Sequence, residues 1–283
     1  MITRLRGAID SATALLAQAG IDSARYDAEE LAAHLAGTQR GRLSMLAPPD
    51  DAFFDRYQAT IAERSRRIPL QHLTGTAAFG PVMLTVGPGV FIPRPETEAM
   101  LEWATAQRIP EAATVVDLCT GSGALALGLA RLWPDARVIG VDDSDVALEY
   151  AQQNATGTTV ELLRADVTAS GALNELDGQV DLLVSNPPYV PDGVELEPEV
   201  LEHDPANAVF GGPDGMTVIR AIVTLAARLL RPGGLFAVEH DDTTSSSTVE
   251  LLRAAACYED IVPHDDLTGR PRFVTARRSG GGS

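Results

Sequence analysis

The chain has 283 residues, of which 45% are hydrophobic, so it can bury a core in one large domain or two smaller ones. Its 22 basic and 39 acidic residues give a formal charge of -17, which argues against long-range attraction of the whole chain to a phosphate backbone. Two distant cysteines, Cys119 and Cys257, argue against a disulfide framework or zinc cluster and favour a reducing cytoplasm. No apolar run reaches the ~20 residues of a membrane span, and the start lacks the apolar core of a signal peptide, so neither insertion nor secretion is predicted.

The first part of the chain is predicted to be helical. The segment "AIDSATALLAQAG" ends at Gly20, and the next helix begins at a capping Asp22 and ends at Gly37. A third segment, "DDAFFDRYQATIAERSRR", ends in arginines that complement the helix dipole. Apolar residues recur at helical spacing through these segments, which is typical of helices that pack against one another. We therefore predict a small N-terminal helical bundle over residues 1–68.

Residues 69–90 place Thr, Val and Phe between Gly and Pro, which predicts a β-hairpin linking two domains. After a loop and a helix that starts near Pro95, strands and helices alternate over residues 91–278. The strand candidates are "TVVDL", "ARVIGVD", "TTVELLR", "QVDLLVS", "GGLFAVEH" and "RFVTAR". The helical segments are "GALALGLARL", "SDVALEYAQQNA" and "MTVIRAIVTLAARLL". This alternation predicts an α/β domain with a mostly parallel sheet covered on both faces, followed by a flexible tail at 279–283.

A glycine-rich turn, with Gly121 and Gly123, separates the first strand of this domain from its helix. Glycines there let the backbone approach a ligand and aim helix N-terminal amides at it. The next glycine, Gly128, lies five residues past Gly123, which departs from the dinucleotide G-x-G-x-x-G and argues against NAD. Asp142 ends the second strand, where it can accept from ribose hydroxyls, and Asp166 follows the third, where it can accept from an adenine amine. Together these features predict an adenosine site.

Three further residues lie beside the predicted site. Asp117 precedes the turn and either holds it through backbone amides or faces the positive part of a ligand. Cys119 is interpreted as a small residue rather than a nucleophile, because no histidine lies near it in the sequence. Asp143 is predicted to cap the following helix rather than to bind a ligand.

The segment "VSNPPYVP" ends the fourth predicted strand with a rigid corner. Pro187 and Pro188 fix two φ angles and push Asn186 toward extended geometry. The Asn186 side-chain carbonyl and the backbone carbonyl that follows are two acceptors, which suit an NH2 group, and Tyr189 can pack against a planar group. Such a corner can align a poor nitrogen nucleophile for attack on a methyl sulfonium, an electrophile that needs alignment rather than acid catalysis.

These residues resemble the S-adenosylmethionine-dependent methyltransferases that hold amino groups at an Asn-Pro-Pro-Tyr motif. The segments "PLQHLTGTAAFG", "FIPRPETE", "DLCTGSGALALGLA", "SNPPYVP", "LRPGG" and "DLTGRPRFVTAR" follow in the order of the release factor glutamine methyltransferases, the PrmC/HemK family, over nearly the whole chain. The resemblance implies a Rossmann-like class I methyltransferase domain with a seven-stranded sheet, after a helical substrate-recognition domain and a β-hairpin. It implies methylation, in the cytoplasm, of the glutamine side-chain amide in the Gly-Gly-Gln motif of class I peptide-chain release factors.

The resemblance also implies a cofactor and a set of site residues. The cofactor is S-adenosyl-L-methionine, which leaves as S-adenosyl-L-homocysteine, and no metal is expected. The implied cofactor-binding residues are Asp117, Cys119, Thr120, Gly121, Ser122, Gly123, Asp142, Asp166, Val167 and Asn186. The implied catalytic residues are Asn186, Pro187 and Tyr189, and the substrate-binding residues are Asn186, Pro187, Pro188, Tyr189, Phe91 and Arg94, with Glu98 as a lesser candidate.

Two segments depart from the family pattern. Cys119 stands where the family commonly has Gly, and "EHDDTTSSS" replaces the more usual Glu-x-Gly run after the fifth strand.

Two other functions remain open. An adenine amino methyltransferase acting on DNA would use the same corner, because adenine also presents an NH2 group. The acidic chain, with six acids in the loop Pro191–Pro205, argues against it. A non-enzymatic adenosine-binding protein would tolerate Asn186→Ala. We expect a release factor as partner, no nucleic acid, no membrane and a monomer.

Overall fold

The computed structural model describes residues 2–266 and 268–280. The chain forms two units, one made of the residues up to Thr76 together with Leu196–His203, and one made of Ala77–Glu195 together with the residues from Asp204 onward. Part of the predicted tail, residues 281–283, and Leu267 of the C-terminal motif lie outside the described residues. In the described part of the chain, no helix is long and apolar enough to cross a membrane.

Helices precede the first strands in chain order. The first elements are α1 (Ile2–Gln18), α2 (Ala24–Leu35), a 3-10 helix (Arg40–Met45), α3 (Asp51–Ser65), α4 (Leu70–Thr74), β1 (Thr76–Phe79), β2 (Val82–Thr85), a 3-10 helix (Pro95–Thr97) and α5 (Glu98–Thr105). There follow β3 (Thr114–Leu118), α6 (Ala124–Leu132), β4 (Arg137–Asp142), α7 (Asp145–Asn154), β5 (Glu161–Arg164), a 3-10 helix (Asn174–Leu176) and β6 (Val180–Ser185). The last are α8 (Pro198–His203), α9 (Ala206–Val209), α10 (Thr217–Leu229), β7 (Leu230–Glu239), a 3-10 helix (Asp242–Thr244), α11 (Ser245–Ala254), β8 (Tyr258–Asp265) and β9 (Pro271–Arg278).

The helices of the first unit bury one apolar core, as the helical spacing of their apolar residues predicts. Leu16, Leu31 and Tyr57 are among its fully buried members, and Tyr57 also donates its hydroxyl to the carbonyl of Ala28 at 2.9 Å. The predicted cap at Asp22 is wrong. Burial of Ile21 turns the chain inward before the helix, so that α2 begins only at Ala24, after Ser23.

A buried ion pair lies within the first unit. Arg64 Nε lies 2.7 Å from Asp27 Oδ2, and the two side chains are only 5% and 2% exposed. The same guanidinium contacts Glu199 Oε1 of α8 at 2.9 Å. Arg64 is in the last turn of α3, where the dipole favours a cation, but its main role is to pair with the buried carboxylate of Asp27.

In the second unit, β1 and β2 form a two-stranded sheet that is shorter than the predicted hairpin. Residues 70–74 form α4 instead, and Gly75 ends that helix with a left-handed φ of 71°. The side chains of Phe79 and Leu84, on the two strands, are buried against the core of this unit.

The main sheet has seven strands in the order β5-β4-β3-β6-β7-β9-β8. The first five strands in this order, from β5 through β4, β3 and β6 to β7, pair in parallel. Strand β9 is antiparallel to both of its neighbours, β7 and β8. Apolar clusters cover both faces of the sheet, which confirms the predicted fold class. Strand β8 and helix α11 were not predicted from the residues, because β8 carries exposed acids and a proline and α11 begins with a run of serines.

The chain order of the strands reverses between β3 and β6, which is where ligands bind in open parallel sheets. Leu118, the last residue of β3, pairs with Ser185, the last residue of β6. The Ser185 hydroxyl donates to the Leu118 carbonyl oxygen at 2.7 Å. The glycine-rich turn and the Asn-Pro-Pro-Tyr corner therefore leave the sheet side by side.

Candidate active site

Asp117, near the end of β3, fixes the glycine-rich turn Cys119 to Gly123 through hydrogen bonds. Its Oδ2 accepts a hydrogen bond from the Thr120 hydroxyl at 2.6 Å and from the Ala126 backbone N–H at 3.0 Å. Its Oδ1 is buried and has no hydrogen-bond partner among the described residues. Burial raises the pKa of this carboxyl to about 7, and the bonds to Thr120 and Ala126 oppose the rise. The first of the two predicted roles is therefore present, and Oδ1 remains available to a cationic group.

The turn uses the left-handed backbone region three times. Cys119, Gly121 and Gly123 have φ values of 60°, 56° and 88°. A glycine is the residue that adopts this region without steric cost, which explains why Cys119 is an unusual choice here. Burial, followed by the charges of Asp142 and Asp117, raises the pKa of the Cys119 thiol. The thiol is thus kept protonated, as expected of a small packing residue rather than a nucleophile.

Asp142, at the end of β4, also binds the glycine-rich turn through a hydrogen bond. Its Oδ2 accepts from the Gly121 N–H at 2.8 Å, and its Oδ1 accepts from the Ser144 N–H at 3.0 Å. Each carboxylate oxygen has a second lone pair, so both can still accept from ribose hydroxyls. The predicted cap at Asp143 is wrong: its side chain is exposed, and the Ser144 hydroxyl accepts from the Ala147 N–H at 3.2 Å and caps α7.

Asp166 and Val167 follow β5 at the same edge of the sheet. Asp166 Oδ1 accepts from the backbone N–H and the hydroxyl of Thr168, at 2.8 Å and 2.6 Å. The Thr168 hydroxyl, followed by its N–H, lowers the pKa of Asp166, so the exposed carboxylate is ionised. Val167 is buried in the core on one face of the sheet. Their contact with adenine stays a prediction.

The Asn186 amide is held in one orientation. Its Nδ2 donates to the Thr97 hydroxyl oxygen at 3.0 Å, while its Oδ1 forms no hydrogen bond with any described residue. Pro187 is buried and Pro188 is half-buried, and each proline ring fixes its own φ angle, so the backbone after Asn186 is rigid. The free acceptor is therefore presented at the edge where β3 and β6 end. Thr97 was not singled out in the sequence, although it lies within "FIPRPETE".

The Tyr189 ring is fixed through its hydroxyl, which donates to Glu239 Oε1 at 3.0 Å. Burial, followed by the charge of Glu239, raises the pKa of Tyr189, so the hydroxyl keeps its proton. Glu239 itself is 1% exposed, and burial raises its pKa to about 7. In the sequence, Glu239 begins the segment that departs from the family pattern, and no role was predicted for it. Its position at the end of β7, beside the site, was the available signal.

A second glycine-rich segment, residues 210–216, packs on the backbone of the corner. The Val190 N–H donates to the Val209 carbonyl at 3.0 Å, and the Gly211 N–H donates back to the Val190 carbonyl at 2.9 Å. A Cβ atom at Gly211 would lie 2.5 Å from the Pro188 carbonyl oxygen, well inside contact distance. The segment "FGGPDG" carries this signal in the sequence, but no contact was predicted from it.

The predicted wall of the site, "FIPRPETE", provides a stacked pair. The Arg94 guanidinium carbon lies 5.1 Å from the centre of the Phe91 ring, and Arg94 also forms an ion pair with Asp204. Glu98 begins α5 and is half-buried. The wall is therefore rigid, but its contact with a substrate stays a prediction.

The residues of the turn fit S-adenosylmethionine. A Cβ atom at Gly121 would meet nothing within 4 Å, so there is open space above the turn. Asp117 Oδ1 and the Ser122 hydroxyl are buried without a hydrogen-bond partner among the described residues, as expected of groups whose partner is a polar ligand. No three His, Cys, Asp or Glu side chains of the described residues converge as metal ligands, and the expected independence from metal stays a prediction.

Two family models match the chain. Residues 7–75 match the PrmC N-terminal domain, and residues 93–203 match the methyltransferase small domain.

Similar proteins extend over nearly the whole chain. A release factor glutamine methyltransferase from Mycobacterium tuberculosis is 66% identical and covers 98% of this chain and 92% of its own. One from Streptomyces coelicolor is 47% identical, with 96% and 97% covered. A 4-amino-L-phenylalanine/4-methylamino-L-phenylalanine methyltransferase from Streptomyces pristinaespiralis is 42% identical, with 88% and 87% covered.

Among solved structures, the T. thermophilus 16S rRNA N2 G1207 methyltransferase in complex with AdoMet and guanosine is similar in fold. Its TM-score is 0.51 at 24% identity, over 72% of this chain and 49% of that one.

Proposed function

The chain belongs to the family of release factor glutamine methyltransferases, and we propose that it methylates the side-chain amide nitrogen of the glutamine in the Gly-Gly-Gln motif of class I peptide-chain release factors. The methyl donor is S-adenosylmethionine and the product is S-adenosylhomocysteine. The reaction is a protein N-methylation that needs no metal ion.

The observation that carries the proposal is the fixed amide of Asn186. Thr97 accepts from Nδ2 at 3.0 Å, so Oδ1 is the acceptor offered to a substrate. The backbone carbonyl that follows provides a second acceptor, and two acceptors match the two N–H groups of a primary amide. The two prolines place no N–H donor in the corner that could compete for these acceptors, and the Tyr189 hydroxyl donates to Glu239.

The reaction depends more on alignment of the glutamine nitrogen with the methyl group than on general acid or base catalysis. When bound, the cofactor supplies a methyl group on a positively charged sulfur. The glutamine nitrogen is a weak nucleophile because its lone pair is delocalised, and positive charge develops on it as the N–C bond forms. The Asn186 carbonyl oxygen stabilises that charge through the N–H groups, which strengthens these bonds in the transition state. One N–H proton then passes to water, and the product is a neutral secondary amide.

The remaining expected residues divide between cofactor and substrate. The turn Cys119–Gly123 cradles the cofactor, Asp117 faces its cationic amino group, and Asp142 accepts from the ribose. Asp166 and Val167 lie on the adenine side. Tyr189, with Phe91 and Arg94 on the wall, packs around the planar glutamine amide. This division is supported by the orphaned oxygen of Asp117 and by the open space above Gly121.

We further propose that residues 1–68 recognise the release factor and residues 91–278 carry out the transfer, with residues 69–90 as the link, in a monomeric enzyme of the cytoplasm. Met45, a large apolar residue that is 77% exposed, is a suitable probe of the recognition surface. Met45→Lys is expected to raise KM for the release factor without changing kcat. An unchanged KM, together with a changed kcat, would contradict the assignment of roles.

One other substrate class has support in a named relative. The 42% identical methyltransferase from Streptomyces pristinaespiralis is named for an aromatic amine, so a related chain acts on a planar NH2 group that is not an amide. The greater identity of the release factor enzymes, 66% over 98% of this chain, favours the protein substrate. Adenine in DNA offers a similar amine, but the charge of -17 disfavours a polyanion.

The experiment is a transfer assay with methyl-labelled S-adenosylmethionine. We expect label in a class I release factor, no label when the glutamine of its Gly-Gly-Gln motif is changed to alanine, and no label in duplex DNA or free 4-aminophenylalanine. Label that persists in the alanine variant, or that enters DNA or the free amine instead, would refute the proposal.

A further inference from the structure

A cavity of about 540 Å³ lies at the edge of the main sheet opposite the Asn-Pro-Pro-Tyr corner. It is lined by the loop after α5, the beginnings of β6 and β7 and the end of β9. Asp181, in this lining, and Asn186 of the corner are five residues apart along β6, so about 17 Å of extended chain separates them. The cavity is therefore separate from the candidate active site, and the proposed reaction gives it no role.

Arginines dominate the charge of this cavity, which we call the arginine cavity. Its lining contains Arg108, Arg231 and Arg277, against the single carboxylate of Asp181. A second carboxylate, Asp260, pairs with Arg277 but is 72% exposed, where water screens its charge. The chain as a whole carries a formal charge of -17. The arginine cavity therefore attracts small anions, although the rest of the chain repels them.

Contacts within the protein fix one side of the Arg231 guanidinium. Its Nε pairs with Asp181 Oδ1, and its Nη1 donates to the Pro232 carbonyl oxygen at 3.3 Å. Asp181 is itself buried, and its Oδ2 accepts from the Thr114 N–H at 2.8 Å. Arg231 Nη2 donates to none of the residues that the structure describes. The anchored guanidinium therefore keeps two N–H donors for a ligand.

Arg277 is fixed in the same way from a different strand. Its Nη1 donates to the Gly233 carbonyl oxygen at 3.1 Å, and its Nε lies 3.3 Å from Asp260 Oδ2. No described residue accepts from its Nη2. The side chains of Arg231 and Arg277 are each 42% exposed, so both remain accessible. Because the two groups are held before a ligand arrives, little side-chain entropy is lost when it binds.

The third arginine, Arg108, is exposed and forms no hydrogen bond or ion pair within the described part of the chain. All five of its N–H donors are therefore available. It follows α5, whereas the other two arginines lie on β7 and β9. Three guanidinium groups thus reach the cavity from three separate elements.

The rest of the lining leaves room for a ligand and provides an apolar wall. Gly233, within the segment "LRPGG", has a left-handed φ of 81°, and a Cβ atom there would meet nothing within 4 Å. Leu235 is 8% exposed and Ile109 is half-buried, and both line the cavity. The volume is in the range of sites that bind small organic molecules. A ligand with an organic part beside its charged group fits this lining.

We propose that the arginine cavity binds a small phosphate-bearing anion. A planar guanidinium presents paired N–H donors that match two oxygens of a phosphate group. The oxygens of a phosphate are spread tetrahedrally, so guanidinium groups from three elements can contact them at once. A carboxylate has two oxygens in one plane and satisfies fewer of these donors. Asp181 and Asp260 orient the arginines without cancelling their charge.

The test is a calorimetric titration of the full-length protein with inorganic pyrophosphate in metal-free buffer. Three charge-assisted hydrogen bonds, each worth at least about 10-fold, predict one site with a Kd of about 1 mM or tighter. Saturation with S-adenosylmethionine should leave this Kd unchanged, because the cofactor binds at the other edge of the sheet. Arg231→Met and Arg277→Met should each weaken binding at least about 10-fold.

A third variant and a matched control separate lost binding from lost folding. Arg108→Glu breaks no contact of the fold, yet it places an anion beside the ligand and should also weaken binding about 10-fold or more. The control is Arg137→Met. Arg137 is another half-exposed arginine paired with a carboxylate, since its Nη2 lies 2.8 Å from Glu161 Oε2, but it does not line the cavity. Pyrophosphate binding should not change there, and the cofactor Kd of every variant reports whether it is folded.

Four results would overturn the proposal. They are no saturable binding at millimolar pyrophosphate, displacement of pyrophosphate by the cofactor, wild-type affinity in Arg108→Glu, and an equal loss in Arg137→Met. Citrate that binds as tightly as pyrophosphate would overturn the assignment to phosphate. The titration does not use methyl transfer, so its failure leaves the proposed function standing, and a failure of methyl transfer to a release factor leaves this site standing.

Discussion

Gly211→Ala tests whether the backbone of the Asn-Pro-Pro-Tyr corner must be held in place by the segment that packs on it. Gly211 does not adopt a left-handed φ, so alanine is conformationally allowed and the substitution acts only through volume. The added Cβ would lie 2.5 Å from the Pro188 carbonyl oxygen and 2.9 Å from the Tyr189 Cα. The proline ring fixes φ of Pro188, so the carbonyl oxygen can move away only by a change in ψ, which shifts Tyr189 as well.

The magnitude follows from the distances. Real Cβ contacts start at 3.0 Å and become ordinary at 3.4 Å, so the Pro188 oxygen and Gly211 must separate by 0.5 to 0.9 Å. A misplacement of 1 Å in a site that works by alignment costs about 100-fold, so we expect kcat to fall roughly 10- to 100-fold. That corresponds to about 1.4 to 2.7 kcal/mol in the activation free energy. Cofactor affinity should change little, because the turn after β3 is untouched.

The assay is single-turnover methyl transfer to a release factor, with cofactor Kd measured in parallel by calorimetry. The control is Gly7→Ala, since a Cβ at Gly7 meets nothing within 4 Å. Wild-type turnover in Gly211→Ala would refute the view that the position of the corner limits the reaction. An equal loss of cofactor binding would show that the substitution disturbs the whole site instead.

Four further predictions concern single residues of the account. Asn186→Ala should lower kcat about 10- to 150-fold, the value of a hydrogen bond to a charge-bearing group, with a far smaller loss of cofactor affinity. Cys119→Gly should keep cofactor affinity, whereas the β-branched Cys119→Val should weaken it, because φ is 60° there. Arg64→Met should reduce the free energy of unfolding in urea by about 3–5 kcal/mol by leaving Asp27 buried and unpaired, and Arg64→Met/Asp27→Leu should recover most of it. Glu239 has its pKa raised from 4.5 to about 7 by folding, so the native state binds its proton more tightly and the wild type loses stability as pH rises from about 4.5 to 7. Glu239→Gln should lack this loss, about 3 kcal/mol in urea unfolding followed from pH 4.5 to 8.

Each of these has a contradicting result. Full turnover in Asn186→Ala would show that the Asn186 amide does not align the nucleophile. Equal cofactor affinity in Cys119→Val and Cys119→Gly would show that the turn tolerates strain, and an additive loss in the double variant of the ion pair would mean that Asp27 is not the source of the cost. A parallel pH dependence in Glu239→Gln would assign the titration to another buried carboxyl such as Asp117.

The parts of the site that the sequence predicts are those that are local in the chain. The glycine-rich turn and the two prolines each impose backbone geometry on their own neighbours, so their positions at strand ends follow from the residues alone. Asp142 could be expected at the same edge, because the carboxyl ends of parallel strands meet there. The fold class followed in the same way from apolar segments alternating with helices.

The contacts that orient the site are distant in sequence and left no local pattern. Thr97 and Asn186 are 89 residues apart, and Tyr189 and Glu239 are 50 apart. The choice of Ser144 over Asp143 as a helix cap depends on which side chain faces the helix start, which spacing does not determine. Strand β8 failed the apolar criterion because it lies at an edge of the sheet, where one side is open to water.

The most direct test of the account is the site of methylation in an intact class I release factor, read by mass spectrometry after incubation with the enzyme and S-adenosylmethionine. The account predicts a single added methyl group on the side-chain nitrogen of the Gly-Gly-Gln glutamine, formed about 10- to 150-fold more slowly with Asn186→Ala. A methyl group on any other residue, or an unmodified release factor beside a methylated DNA or arylamine substrate, would contradict it.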